Sequence, residues 1–134
     1  IRNRPEELCG PEASSESAIE DAINYVGDSY DRILLLEVTS PLRQDNDIIE
    51  SLKLAIDYPG VKSVCRIKNC LNGPIIEEKM QLNGAIHIYS PTWLYDLPYD
   101  RMGIYVMPPE RSIHIDYPWE FECAEFLYKR LNHK

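Results

Sequence analysis

The feature that most restricts the fold of this 134-residue chain is the run Ile33-Leu34-Leu35-Leu36, set between two amphipathic stretches. Four consecutive aliphatic residues leave no polar face, which suits a strand buried on both sides in a parallel sheet. Upstream, Ala18, Ile19, Ala22, Ile23 and Val26 recur with helical period, so 15–26 reads as a helix. Ser15 or Ser17 can cap it, Ser17 and Glu20 have capping-box spacing, and Gly27 ends it. Downstream, Thr39-Ser40-Pro41 breaks the strand. Asp45 or Asn46 then caps a second helix with an apolar face of Ile48, Ile49, Leu52, Ala55 and Ile56, stopped by Pro59-Gly60. Residues 62–67 read as the next strand. Helix, buried strand, helix, strand is the order of a βαβ unit, so the fold class is α/β.

The rest of the chain continues in the same vein. Residues 69–79 are polar, with Asn72-Gly73-Pro74 as a turn signal. Residues 84–89 and 103–107 read as strands and 112–115 as a short extended stretch. Pro118 suits the first position of a last helix, in which Phe121, Ala124, Leu127, Tyr128 and Leu131 share a face. The aromatics Tyr89, Trp93, Tyr95, Tyr99, Tyr105, Tyr117 and Trp119 are expected to pack in a core or an interface. Nothing repeats, and one domain over 1–134 fits the length.

Charge narrows the partners. Fourteen Lys and Arg against 22 Asp and Glu give a net charge of −8, which argues against a general nucleic-acid binder. No apolar run approaches the roughly 20 residues that span a bilayer, so no membrane partner is expected. The four cysteines, Cys9, Cys65, Cys70 and Cys123, form no CxxC pair. They read as reduced structural thiols of a cytoplasmic protein, with Cys65 and Cys123 buried. The chain opens on Ile1 rather than Met, as a processed chain or part of something longer would, and the opening segment lacks the apolar stretch of a signal peptide.

Four stretches occur in one order along almost the whole chain. They are Arg4-Pro5-Glu6-Glu7-Leu8 with Ala13-Ser14-Ser15-Glu16, Leu35-Leu36-Glu37-Val38-Thr39-Ser40-Pro41-Leu42-Arg43, Leu82-Asn83-Gly84-Ala85-Ile86-His87-Ile88, and Arg111-Ser112-Ile113-His114-Ile115-Asp116 with Glu120-Phe121. Together they resemble the acylneuraminate cytidylyltransferases, or CMP-sialic acid synthetases. The resemblance implies a Rossmann-like nucleotide-diphosphosugar transferase fold, here truncated, with a mostly parallel sheet flanked by helices. It also implies CTP and a sugar acid as partners: the sugar's anomeric hydroxyl attacks the α-phosphorus and pyrophosphate leaves. Magnesium would neutralise the developing charge. By the same resemblance Thr39, Ser40, Arg43, Gln81, Asn83, His87 and Arg111 would bind substrate, and Asp116 and His114 would stand at the metal.

The departures are as specific. The family's glycine-rich phosphate loop is not among these residues, and the six glycines are too scattered to build one. The family's excursion between Cys65 and Asn83, which reaches a partner subunit, is cut to a short connection. Glu37 and Val38 stand where Gln-Pro is usual, Gln81 where Arg is usual and His87 where Tyr is usual. His114 replaces one of two metal-holding acids, although magnesium prefers hard oxygen ligands. Asp116 has a second reading, as a cap for the helix that follows. These residues alone are therefore expected to be inactive. The alternative is a noncatalytic relic serving as an oligomeric or partner-binding module, because an uncovered sheet edge invites pairing into a homo-oligomer.

Overall fold

The computed structural model describes residues 3–27, 30–68, 78–93 and 98–132. The turn read at Asn72-Gly73-Pro74, with Cys70 and Tyr95, lies outside them. Contacts divide the chain into two compact units, 1–31 and 32–134.

The first unit holds a short 3-10 turn, Glu6–Leu8, and helix α1, Ser15–Val26. Its cap is Ser14, one residue ahead of the expected serines, and the Ser14 hydroxyl accepts from Ser17 N–H at 3.1 Å. Gly27 ends the helix with φ 74°, a left-handed turn that a side chain would resist.

The second unit is a four-stranded sheet in the order β1-β3-β2-β4, made of β1 Ile33–Leu35, β2 Gly60–Lys68, β3 Glu78–Tyr89 and β4 Met102–Met107. Only β2 and β4 pair in parallel, and β3 runs antiparallel to both β1 and β2. The sheet is therefore mixed, not mostly parallel. The reason is the connection after β2. Nine residues separate Lys68 from Glu78, fewer than a parallel crossover needs, so the chain returns antiparallel. β3 inserts between β1 and β2, which still run in the same direction with helix α2, Asp45–Asp57, between them in sequence. The apolar run is shorter and less buried than expected. β1 pairs on one side only, and Leu34 is 37% exposed.

Helix α2 lies against β2, β3 and β4. Its buried side is Asp47, Ser51 and Ala55 with Ile48 and Leu54, packed on Val61, Ala85, Ile86, Ile88 and Met107. The expected face is thus rotated. Ile49, Leu52 and Ile56 are exposed, and Gln44 and Asp47, rather than Asp45 or Asn46, close a capping box at the start of the helix. At β4, Gly103 is required by close approach, since a Cβ there would stand 2.9 Å from the Tyr58 ring. Helix α3, Pro118–Asn132, buries Ala124 and half-buries Leu127 and Leu131, while Phe121 and Tyr128 of its expected face stay exposed. Cys123 is exposed rather than buried, and Tyr99, Tyr117 and Trp119 are surface aromatics rather than core. Among the described residues no helix is long and apolar enough to cross a membrane.

Candidate functional site

Strands that run together deliver their following loops to one edge of a sheet, where α/β proteins bind ligands. β1 is followed there by Thr39 and Ser40, and β4 by Arg111, Ser112, His114 and Asp116. Gln81 and Asn83 of the reversed β3 lie beside Cys65, near the end of β2. Most of the residues singled out from the sequence therefore gather at one end of the second unit. Several of them are already occupied in holding it together.

Arg43 Nη1 donates to the carbonyls of Glu37 at 2.6 Å and Ser40 at 2.7 Å, tying down the turn it closes. Burial lowers its pKa against the opposing pull of Glu37. Arg111 forms a two-pronged pair with Asp47, Nε to Oδ2 at 2.9 Å and Nη2 to Oδ1 at 2.6 Å. Tyr105 donates to the same carboxylate at 2.9 Å and Gln44 N–H at 2.8 Å. Burial alone would push Asp47 up. The bonds from Arg111, Gln44 and Tyr105 outweigh it, and the Asp47 pKa lies below the usual carboxylate range. Tyr105 is pushed up to about 12 by burial and by Asp47. Arg111 thus ties the segment after β4 to α2.

Asn83 is turned inward and 7% exposed. The register of β2 and β3 shifts between Lys62 and Val64, leaving backbone groups that the ladder does not satisfy. Ser63 and Asn83 fill the gap. Ser63 Oγ donates to Asn83 Oδ1 at 2.6 Å and accepts from Ile86 N–H at 2.8 Å, while Asn83 Nδ2 donates to Ser112 Oγ at 3.0 Å.

His114 is the centre of what remains. Its Nδ1 lies 3.2 Å from Ser40 Oγ and 3.4 Å from Thr39 Oγ1, and its Nε2 lies 3.3 Å from Asp116 Oδ1. Asp116 does not cap α3. Glu120 Oε2 takes the N–H groups of Asp116 and Tyr117, at 2.7 and 2.8 Å. The imidazole lies against Gly84, where a Cβ would come within 3.3 Å of Nδ1. A groove of about 340 Å³ runs past it, lined by Cys65, Gln81, Asn83, Ser112, His114 and Leu127 among others. Thr39, hydrogen-bonded to that imidazole, lines a second, apolar cavity of about 510 Å³ with Val38, Leu42, Phe121 and Tyr128.

His87 lies apart. It pairs with Lys62 and Gln81 pairs with Cys65, an odd separation along β2, so His87 and Gln81 stand on opposite faces of the sheet. His87 stacks on Tyr89 with ring centres 6.3 Å apart. Burial, then the Lys62 charge, lowers its pKa against the pull of Glu37 and the Gly84 backbone.

The magnesium implied by the resemblance does not fit these residues. The acid pair is one imidazole and one carboxylate whose side chain is 65% exposed, and both ring nitrogens have partners. No cluster of three His, Cys, Asp or Glu side chains able to hold a metal occurs among the described residues.

Asp47, Ser63, Ser112 and Gly84 complete this end of the molecule and were not expected from the sequence. Asp47 had a legible signal, since it stands three residues after Gln44 at capping-box spacing. The bulge that needs Ser63 has no sequence mark.

No protein-family model matches the chain. The chain is similar to N-acylneuraminate cytidylyltransferase from Escherichia coli O18:K1:H7 (strain RS218 / NMEC), 28% identical over 165 residues, covering 96% of this chain. It spans 37% of that protein's length. The aligned stretch is longer than the chain itself, so that protein carries residues with no counterpart here.

Proposed function

We propose that these residues form the sugar-acid side of a cytidylyltransferase-like site and do not transfer a cytidylyl group by themselves. The observation that carries the reading is the convergence of Thr39, Ser40, Gln81, His114 and Asp116 where β1 and β4 end. The 340 Å³ groove beside them, with Gln81 and His114 on its wall, suits a hydroxylated ligand. Nucleotidyl transfer also needs cations against the triphosphate. Arg43 and Arg111, the cations at these matched positions beside the groove, are committed to backbone carbonyls and to Asp47. In this reading the CTP half of the reaction is supplied by residues other than these.

The test is a titration of the ¹⁵N-labelled chain. N-Acetylneuraminate is expected to shift amide signals at 81–85 and 112–116, and CTP is expected to leave them in place. CTP, sugar acid and magnesium together are expected to give no pyrophosphate. Magnesium-dependent pyrophosphate release would sink the noncatalytic half of the reading, and a sugar acid that moves no signal would sink the other half.

The outward stripe of α2 favours a second reading, a partner-binding or self-associating module. Ile56 is 79% exposed, and Ile49 and Leu52 are 49% and 40% exposed. Light scattering over a range of concentrations decides it, and a single-chain mass throughout would count against it.

A further inference from the structure

The resemblance calls for a divalent cation at the corner of His114 and Asp116, and the imidazole there already has protein partners at both nitrogens without one. We propose that His114 is a metal-free clasp that does the cross-linking a cation would do, and that the corner takes no magnesium. A metal site needs lone pairs facing an open position. Both nitrogens of His114 are engaged, Nδ1 by Ser40 and Thr39 and Nε2 by Asp116. Nε2 lies within ion-pair distance of Asp116, and with the ring proton on Nε2, Nδ1 is the acceptor for the hydroxyls. Ser40 has one proton, which also reaches Asn83 O at 3.3 Å, so Thr39 can serve the ring when Ser40 does not.

The ring is also seated. Gly84 has φ 69° and no side chain, and the imidazole fills the volume a Cβ would enter. A parallel backbone link, Ile115 N–H to Thr39 O at 2.8 Å, joins the same two segments. The imidazole therefore fixes the Thr39-Ser40 turn against the segment leading into α3 and holds Thr39 on the wall of the apolar cavity. Of the two acid positions that the resemblance assigns to the metal, one holds a largely exposed carboxylate and the other an imidazole, a poor ligand for a hard cation, and no group of three His, Cys, Asp or Glu side chains able to hold a metal occurs among the described residues. The ligand class that follows is one bound through hydroxyl and amide contacts, with no bridging metal. This inference deepens the proposed sugar-acid site but does not depend on it, because its test contains no sugar.

The test uses Mn²⁺ as a paramagnetic stand-in for magnesium on the ¹⁵N-labelled chain. In the wild-type chain Mn²⁺ is expected to broaden no amide selectively at 39–40, 84 or 114–116. His114→Asp restores a second carboxylate beside Asp116 and is expected to gain that broadening at least tenfold more strongly. The wild-type His114 ring, read by long-range ¹H–¹⁵N correlation, is expected to show its proton on Nε2. Selective Mn²⁺ broadening of the wild-type corner would overturn the proposal. So would a ring with its proton on Nδ1 alone. If His114→Asp does not fold, the wild-type broadening and the ring spectrum still decide.

Discussion

Two charged clusters sit at the same end of this molecule, and they behave as opposites. Asp47, Arg111 and Tyr105 form a closed network in which Asp47 is fully buried and every oxygen is used. His114 and Asp116 form an open one, with side chains 36% and 65% exposed. Both contain a residue that the sequence motif would assign to substrate or metal. Burial decides which residue is held as structure and which can still meet a ligand. A charge inside must be satisfied by the protein, whereas a charge at the surface can exchange its partner for a ligand or water.

The contrast breaks most visibly at Asp47. Asp47→Ala strands the Arg111 guanidinium beside a void and is expected to lower stability by about 3 kcal/mol. Asp116→Asn, at the exposed corner, is expected to change it by less than ~0.5 kcal/mol. Urea unfolding of the two variants measures both. Equal losses would mean the two clusters are not different in kind. Acid should act on the same network. Because the Asp47 pKa is depressed on folding, its stabilisation is present above the unfolded value near ~3.9 and fades as pH falls through the lower folded value.

How much of this could be read beforehand follows the same division. Helices α1 and α2, and the turn at Thr39-Ser40-Pro41, were legible because periodicity and capping are local. The direction of β3 was not, since a short connection and a strand inserting between two others are properties of the whole sheet. The four aliphatic residues at 33–36 suggested burial on both faces, yet β1 pairs with β3 alone. The motif around Arg111 located the right end of the molecule. It could not say that Arg111 faces inward, because that depends on Asp47, which stands 64 residues away in the chain. The inward turn of Asn83 was not legible for the same reason: the bulge it fills arises only when β2 and β3 meet.

Gly84 lies behind the open cluster and gives a smaller effect. Its backbone is left-handed, and a methyl group would meet the His114 ring at 3.3 Å. Gly84→Ala is expected to cost about 1–2 kcal/mol and to weaken the Thr39 and Ser40 contacts to the imidazole. The stability loss should accompany a changed His114 ring spectrum. A stable variant with an unchanged spectrum would show that the seat is not as close as the contact implies.

The smallest effect lies on the other face of the sheet, at His87. Burial and the neighbouring Lys62 charge make the folded state a poorer proton acceptor at this ring than the unfolded chain. The sign follows directly. As pH falls below the unfolded value near ~6.5, the unfolded state takes up the proton first and stability declines until the folded value is passed. His87 and Asp47 therefore both weaken the fold on acidification, but in separate windows, the first below about 6.5 and the second below about 3.9. His87→Gln is expected to flatten the upper window and leave the lower one, and Asp47→Asn the reverse, both read from thermal unfolding against pH. If His87→Gln left the slope between pH 6.5 and 5 untouched, the half-buried His87 would behave as an exposed histidine. Burial, rather than motif membership, would then lose its place as the quantity that separates the residues of this sheet.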